Sequence, residues 1–509
     1  MAILNFFVAY MGAALLFYYV LILSFRLVLH PLRMYPGPLA ARLSEGYGAY
    51  YALKQCLHIK AYRNHMKYGP VVRQAPDRLI FNSVAALKDI YQNEKITKSY
   101  VYSAAQPDQH NIFTTSNKQE HRPKRKLISR LLSEQSTRAF EPVLINQVTV
   151  FLNQLLQSKE KPLNMTPTCR HLGLDIAGHL GFGYGLNLQT DSTHRYLTQA
   201  ITFGNYRVNT CMQSASLAMI KPGIIMDFFP NSLRSKLMKM IGAMITARLS
   251  QPPGAKHDLL SVFNDESDVD IKTMKQGNLW TEAVFFFPAG GETTASALSA
   301  AFFYLSQDPT CYEKLAVEIR GAFNTASEIR GGSRLSSCRY LRACIDETLR
   351  MSPPVPATLW RESVSEDKTQ PLVIDGHVIP PGTQIGVNIY SLHHNEEYFP
   401  NSFQFRPERW MEGTKDANAE AFTPFSIGAR GCAGKALAYL ELSLVIALTF
   451  WYFDFETEQE DSSEDPVPTN MEGRIGGGEF PIYDLFAAKH DGPKLVFHPR
   501  GSLCEELVR

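Results

Sequence analysis

The chain has 509 residues, 45% of them apolar and 20% charged, and its formal net charge is +2 at pH 7. This is an ordinary globular composition with ample chain for a large core. The near-neutral charge, without basic blocks interleaved with aromatic residues, gives no indication of a nucleic-acid partner. Its eight cysteines are scattered without a C-x-x-C pair, which fits a reducing compartment better than a disulfide framework.

The N-terminal segment is apolar. No charged residue occurs between Met1 and Phe25, and the stretch is long enough to cross a bilayer as a helix. A cleaved signal peptide would need a basic start and a small-residue cleavage site, and neither is clear. Residues 1–25 are therefore interpreted as a transmembrane anchor. Arginines follow it and none precedes it, which places the rest of the protein in the cytosol.

Prolines dominate the next segment. Because His30-Pro31 and Tyr35-Pro36-Gly37-Pro38 cannot continue a helix, residues 26–40 are predicted to form a stiff, extended hinge. Residues 41–509 contain no evident linker or internal repeat and are interpreted as one large domain. Within it, the β-rich pieces at 71–73 and 78–81 are predicted strands of a small sheet.

A basic amphipathic helix is predicted to begin near Pro123, within His121-Arg-Pro-Lys-Arg-Lys126. On these residues alone, a solvated positive face is the commoner interpretation. Further along, Ala200–Ile225 is apolar and broken at Lys221-Pro222-Gly223, which fits a pair of core helices. The acidic stretch at 264–270 is predicted to be an exposed loop.

The apolar run from Trp280 to Leu305 predicts a long helix. Pro288 removes a backbone donor and the glycines that follow it loosen the turn, so the helix is expected to be kinked or widened there. Glu292 and Thr293 are costly in such apolar surroundings. They indicate a groove for a small diatomic ligand, with a carboxyl and a hydroxyl placed to relay protons. A helix kink with capping residues is the alternative.

A helix stopped by Pro353-Pro354 carries Glu347 and Arg350 three residues apart, on one face. Such pairs usually lie on the surface and contribute little stability. Pro407-Glu-Arg-Trp410 follows downstream and contains Arg409. For Arg361, a charge on the protein surface is the interpretation that the sequence favours.

The most specific signal is the loop from Phe425 to Gly434. Cys432 lies where a helical pattern begins, a position that favours the thiolate that iron prefers. Glycines such as Gly428 let the backbone approach a flat partner, and Arg430 offers a guanidinium to carboxylates. Thiolate, carboxylates and a flat body together indicate haem. The alternative is a buried structural cysteine.

Phe425, Gly428, Arg430, Cys432 and Gly434 match every fixed position of F-x-x-G-x-R-x-C-x-G, so the chain resembles the cytochrome P450 family. The resemblance covers essentially the whole chain. It implies the P450 fold, mainly α with a small β-rich region, preceded by one transmembrane helix. It also implies haem b, with Cys432 as the axial iron ligand and Arg430 on a propionate.

Other motifs fit the same family. The stretch at 289–294 resembles A/G-G-x-D/E-T-T, which implies that Thr293 and Glu292 assist oxygen activation. His121 and Arg125 stand at the Trp and Arg positions of W-x-x-x-R, whose side chains reach a propionate. Histidine here replaces the family's tryptophan, although its ring N–H can make a similar hydrogen bond.

The resemblance also assigns supporting roles. Glu347, Arg350 and Arg409 resemble the structural triad that supports the cysteine loop, and Arg361 is a further candidate propionate contact. Three more charges in the basic helix, Arg122, Lys124 and Lys126, become surface groups suited to an acidic redox partner. By position, Ala200–Ile225 resembles the roof of a substrate channel. We give this interpretation the same weight as the interpretation of the segment as a pair of core helices.

The implied activity is that of a haem-thiolate monooxygenase that hydroxylates or epoxidises an apolar small molecule. The chain has no flavin or nicotinamide motif, so electrons from NADPH are expected through a separate reductase, with cytochrome b5 as a further candidate partner. The sequence resembles fungal secondary-metabolite P450s of the endoplasmic reticulum membrane. The alternatives are a P450-like isomerase or dehydratase that needs neither O₂ nor reductase, and a non-enzymatic haem-binding or lipid-binding module.

Overall fold

The structure, a computed structural model, describes residues 2–106, 110–219, 232–252, 258, 276–364, 371–411, 417–458 and 478–507. The helices in these ranges are α1 (Ala2–Ser24), α2 (Leu39–Leu43), α3 (Gly46–Leu53), α4 (Leu57–Tyr68), α5 (Val84–Tyr91), α6 (Val101–Ala105), α7 (Lys118–Leu131), α8 (Glu134–Gln157), α9 (Met165–Phe182), α10 (Tyr196–Gln213), α11 (Ala215–Met219), α12 (Leu233–Leu249), α13 (Gln276–Gln307), α14 (Pro309–Ala322), α15 (Ser333–Ser336), α16 (Arg339–Met351), α17 (Ile389–His393), α18 (Ala417–Ala421) and α19 (Lys435–Tyr452). The expected mainly helical architecture is confirmed.

The strands form small sheets. They are β1 (Val71–Ala75), β2 (Arg78–Phe81), β3 (Ile96–Lys98), β4 (Leu163–Asn164), β5 (Arg361–Ser363), β6 (Leu372–Ile374), β7 (His377–Ile379), β8 (Gln384–Val387), β9 (Phe453–Thr457), β10 (Ile482–Tyr483), β11 (Lys489–His490) and β12 (Lys494–Pro499). The largest sheet has the order β1-β2-β8-β5-β3. Strands β1 and β2 confirm the predicted β-rich pieces, and the antiparallel β3–β5 pair places Lys98 opposite Arg361.

The main core lies where α8, α9, α13, α14, α16 and α19 pack together. Helix α13 continues through Pro288 as a single α-helix and crosses α9 at very close range. A Cβ atom on Gly173 would lie 2.4 Å from the carbonyl oxygen of Gly291, and one on Gly291 would lie 2.7 Å from the Leu174 side chain. Gly291 therefore permits the close helix crossing, a role that the sequence did not indicate.

Two described helices are long and apolar enough to cross a membrane by length and composition. The span Ile3–Leu29 has a mean hydropathy of 2.2, and none of it is buried against the rest of the protein. In α19, by contrast, 67% of the apolar window is buried, as in a core helix. Of these two described helices, only the N-terminal span presents its apolar side chains outward.

Two local predictions were wrong. The hinge is not extended throughout, because Pro31–Met34 is a 3-10 turn in which the His30 ring accepts a hydrogen bond from the Leu32 N–H. Helix α7 begins at Lys118 rather than near Pro123, because the Asn117 side chain caps the amides of the first turn. The predicted loop at 264–270 and the break at 221–223 lie outside the described residues.

Candidate active site

The loop before α19 turns back on itself so that its cysteine meets a cavity. The Cys432 N–H donates a hydrogen bond of 2.8 Å to the Phe425 carbonyl oxygen. Gly428 has φ +74°, and a Cβ atom there would lie 2.0 Å from the Tyr91 carbonyl oxygen. Only glycine fits this position, since it combines a left-handed backbone with contact against another backbone segment. Gly434 is the residue directly before the first turn of α19.

Cys432 differs from the other cysteines in its surroundings. The seven others are buried, whereas the Cys432 side chain is exposed and lines the cavity. Surrounding protein still raises the pKa of this thiol, and the Gly434 N–H and the Arg125 guanidinium only partly oppose the rise. The expected effect of the helix start on the thiol is therefore outweighed by desolvation from the protein around the cavity, and a bound metal ion is what would favour the thiolate.

The cavity beside Cys432 is predominantly apolar and draws its walls from distant parts of the chain. Helix α13 contributes Phe285, Phe286, Ala289, Gly290, Thr293 and Thr294. The loop before α19 and the helix itself contribute Phe425, Arg430, Cys432, Gly434, Leu437 and Glu441. The described residues of α10 and α11, which belong to the expected roof, do not line it. This part of that expectation is not supported in residues 200–219.

A group of cationic side chains lines the same cavity: Lys98, Arg125, Arg361 and Arg430, with His121 beside them. Burial and the neighbouring Arg361, Arg430 and Arg125 place the pKa of Lys98 well below its ordinary value. Burial and Arg430 likewise lower the pKa of His121 to about 3. Charges of one sign crowded in a buried place favour the binding of anions.

Backbone carbonyl groups hold these cations in place without neutralising them. Arg430 donates to the carbonyl oxygens of Thr115 and Ser116 at 3.0 and 3.2 Å. Arg125 donates to the Gly431 carbonyl oxygen at 2.5 Å. Within the described part of the chain, no carboxylate lies within 4.0 Å of any of the four cations. A flat, apolar group that carries carboxylates, as haem does, fits this site.

The structure corrects two interpretations of charged residues. Arg361, read as a surface charge, is only 3% exposed and lies in the cavity. Lys124, also read as a surface charge, is 6% exposed and forms an ion pair with Glu282. Lys98 was missed altogether. Its only sequence signal is a lysine in a short β-rich stretch, and its place depends on pairing with Arg361, 263 residues later in the chain.

Thr293 and Glu292 point in different directions. The Thr293 hydroxyl donates to the Ala289 carbonyl oxygen at 2.9 Å and lines the cavity. Glu292 is not among the described residues that line the cavity, and its carboxylate pairs with Arg170 of α9 at 2.8 Å. Arg170 also donates to the Thr202 hydroxyl. Burial raises the pKa of Glu292, and Arg170 partly opposes the rise.

A second carboxyl, missed by sequence reasoning, does line the cavity. Glu441 of α19 is 4% exposed, and burial raises its pKa to about 8, although a hydrogen bond with Thr294 opposes the rise. At neutral pH it is therefore mostly protonated and can donate a hydrogen bond. A single acid within the apolar sequence of α19 was the signal that could have identified it.

Glu347, Arg350 and Arg409 meet in the core. Arg350 forms two hydrogen bonds of 2.9 Å with the Glu347 carboxylate, and the Arg409 Nε lies 2.9 Å from the same group. Glu347 and Arg350 are fully buried. Arg350 also donates to the carbonyl oxygens of His393 and Ser402 at 2.9 and 2.7 Å. The three residues thus tie α16 to the segment that runs from α17 towards the cysteine loop.

These features, a cysteine facing an apolar cavity with unneutralised cations in its wall, fit a haem-thiolate site on a mainly helical fold. The sequence model of the family described as Cytochrome P450 matches residues 46–475. The chain belongs to the cytochrome P450 family, it binds haem, and it is a P450 monooxygenase.

Curated relatives agree with this assignment. The chain is 36% identical to cytochrome P450 monooxygenase poxM of Penicillium oxalicum over 85% of each chain. It is 32% identical to cytochrome P450 monooxygenase AKT7 of Alternaria alternata over 96% of each chain. It is 31% identical to cytochrome P450 monooxygenase atnE of Emericella nidulans over 97% of each chain.

Proposed function

We propose that this enzyme activates O₂ with electrons from NADPH and inserts one oxygen atom into an apolar small molecule, by hydroxylation or epoxidation. The observation that carries the proposal is the cavity itself. It brings Cys432 together with a hydroxyl from α13 in predominantly apolar surroundings. Such a cavity favours a hydrophobic substrate, because burial of the substrate's apolar surface would hold it in the cavity near Cys432.

The chain's own residues would hold haem b in defined ways. Cys432 would bind the iron, and haem when bound supplies the redox chemistry of the reaction. Arg430, Arg125 and the ring of His121 would bind the propionates, and Lys98 and Arg361 add two positive charges at the same place. Phe425, Gly428 and Gly434 would shape the loop that carries the cysteine.

Proton delivery is proposed to involve Thr293, which lines the cavity. Its hydroxyl already donates to the Ala289 carbonyl oxygen, but its lone pairs can accept a hydrogen bond from water or substrate. We also propose a role for Glu292, and the ion pair with Arg170 means that this carboxyl must first leave its partner. Burial raises the pKa of Glu441 to about 8, and we propose this carboxyl as a second source of the proton.

The triad is proposed to be structural rather than catalytic. Glu347 accepts from Arg350, Arg409 and the Trp410 ring N–H, the last at 3.0 Å. Because the bonds from Arg350 and Arg409 are buried and charge-assisted, they hold the segment before the cysteine loop more firmly than surface bonds would. The loop then meets the haem in one fixed position.

The redox partner is proposed to be a membrane-bound NADPH-cytochrome P450 reductase, with cytochrome b5 as an additional donor. Arg122, Lys126 and Lys435 are exposed, the first two on α7 and the third at the start of α19, directly after the cysteine loop. They suit an acidic partner surface.

The proposed organisation has three parts: an anchor at 1–25, a hinge at 26–40 and a catalytic domain at 41–509. The unburied apolar helix α1 supports a single-pass anchor in the endoplasmic reticulum membrane with the catalytic domain in the cytosol. Membrane lipid would then surround α1.

The substrate is proposed to be an intermediate of fungal secondary metabolism. The support is that the similar proteins come from Penicillium, Alternaria and Emericella and are named as P450 monooxygenases. An isomerase or dehydratase that works without O₂ or reductase is the alternative, and Thr293 in the cavity favours the oxygen-dependent reaction over it.

The proposal can be tested by mass spectrometry of metabolites from the producing organism, comparing the intact enzyme with a Cys432→Ala variant. A precursor that accumulates in the variant and is lighter by one oxygen atom than the lost product supports monooxygenation. A precursor that is an isomer of the product, or differs from it by water, would favour the alternative. Dependence of turnover on NADPH and O₂ separates the two further.

A further inference from the structure

A short segment between α6 and α7, residues 110–113, is tied to α13 by several polar contacts. The Ile112 N–H donates to one oxygen of the Glu282 carboxylate at 3.0 Å. The Asn111 side chain donates to the Thr281 carbonyl oxygen at 3.3 Å. The Thr281 hydroxyl donates to the His110 carbonyl oxygen at 3.4 Å. Two consecutive residues of α13 thus hold three consecutive residues of the segment.

The central contact is an ion pair between Lys124 of α7 and Glu282 of α13. The Lys124 Nζ lies 2.6 Å from the second oxygen of Glu282, and it also donates to the His110 carbonyl oxygen at 2.7 Å. The Lys124 and Glu282 side chains are 7% and 1% exposed. One buried pair therefore joins α7, α13 and the segment's backbone at residues 110 and 112.

The segment forms part of the cavity wall. Ile112, Phe113 and Glu282 line the cavity, and so does Phe285, one turn further along α13. The Phe113 and Phe285 rings stack with centroids 5.0 Å apart and planes 11° apart. A change in the Lys124–Glu282 pair would consequently move apolar side chains that face a bound molecule.

A buried ion pair is a poor source of stability, because desolvation of both charges offsets their attraction. Burial accordingly raises the pKa of Glu282, and the ion pair with Lys124 only partly opposes the rise. Apolar residues of the same volume would contribute about as much to the stability of the core. What such residues could not do is bind the backbone of residues 110 and 112, so the pair is explained best by its effect on the segment.

We propose that Glu282 and Lys124 are positioning residues that hold residues 110–113 against α13 and thereby limit the size of the molecule that the cavity accepts. Neither residue contacts the reacting atoms in this assignment. The inference concerns the cavity of the proposed function but depends only on haem binding, so a failure of the oxygenation proposal would leave it intact.

The test uses the full-length haem-loaded enzyme and two ligands that coordinate haem iron, imidazole and the bulky azole clotrimazole, followed by difference spectroscopy. In Glu282→Gln we expect the Kd of imidazole to change less than twofold and clotrimazole to bind about tenfold more tightly, a difference of about 1.4 kcal/mol. Glu408→Gln is the matched control, because its ion pair with Lys314 has nearly the same length, 2.7 Å, but lies at the surface. An unchanged clotrimazole to imidazole ratio in Glu282→Gln would overturn the proposal.

If Glu282→Gln leaves Lys124 unpaired and does not fold, the double variant Lys124→Met with Glu282→Leu removes both charges together, a replacement that buried pairs tolerate. We expect this variant to have the same tighter clotrimazole binding. Hydrogen exchange of a peptide covering 110–116 should also be faster than in the wild type, while a peptide from α16 is unchanged. Wild-type exchange and a wild-type ligand ratio in the double variant would show that the pair does not hold the wall.

Discussion

The ion triad behind the cysteine loop allows a quantitative test by the substitution Glu347→Gln. Glu347 carries the only negative charge of the triad, opposite Arg350 and Arg409 at 2.9 Å each. Although burial opposes its ionisation, these two ion pairs lower its pKa below the ordinary value. The amide keeps the shape but leaves two guanidinium groups in the core without a counter-charge. Removing one partner of a buried pair costs about 3–5 kcal/mol.

Glu408→Gln is the matched control for this substitution. Glu408 lies next to Arg409 in the chain, but its ion pair with Lys314 is exposed and is worth only about 0–1 kcal/mol. The expected difference between the two variants is therefore about 2–5 kcal/mol in the free energy of unfolding. Urea titrations followed by haem absorbance and by tryptophan fluorescence would measure it. If the two variants unfold within about 1 kcal/mol of each other, the triad does not hold this part of the fold.

Three further outcomes are expected. Thr293→Ala should still bind substrate but release reducing equivalents as hydrogen peroxide. A peroxide assay during NADPH consumption would detect this loss. Turnover in which all NADPH is used for product would show that Thr293 has no role in oxygen activation. Gly428→Ala should lower haem content, because the backbone there has φ +74° and the new Cβ would lie 2.0 Å from the Tyr91 carbonyl oxygen. The control Gly321→Ala has open space around its new Cβ and should keep its haem. Equal haem contents in the two variants would contradict this prediction. Burial raises the pKa of Glu441 from 4.5 to about 8, so the folded state binds the extra proton and the contribution of Glu441 to stability should fall as pH rises from about 4.5 to 8. Urea titrations at several pH values should therefore show that the stability of the wild type relative to Glu441→Gln falls over this range. A difference between the two proteins that does not change with pH would contradict the shift.

The family and the main architecture were accessible from the sequence because they depend on local patterns. The order of the residues from Phe425 to Gly434 determines how the cysteine loop folds, and the backbone angle at position 428 requires glycine. The strands β1 and β2 and the long helix α13 likewise follow from residue types close together in the chain. Local order was therefore sufficient to predict a cysteine that faces the cavity and to identify the overall class of protein.

The remaining parts of the site depend on tertiary contacts that no local pattern encodes. Lys98 reaches the cavity only because β3 pairs with β5, and Lys124 is buried because Glu282 lies across from it, 158 residues later in the chain. Glu292 and Thr293 were expected to act side by side, but neighbouring residues on a helix point about 100° apart. Only Thr293 consequently faces the cavity, and Glu292 meets Arg170.

Isotope labelling tests the central claim most directly. The purified enzyme, reconstituted with a P450 reductase and NADPH, is supplied with the substrate found by the metabolite comparison under ¹⁸O₂. Insertion of oxygen predicts a product that carries one ¹⁸O atom, and no product when O₂ or NADPH is withheld. An unlabelled product, or a product formed without O₂, would contradict the assignment of this cavity to monooxygenation.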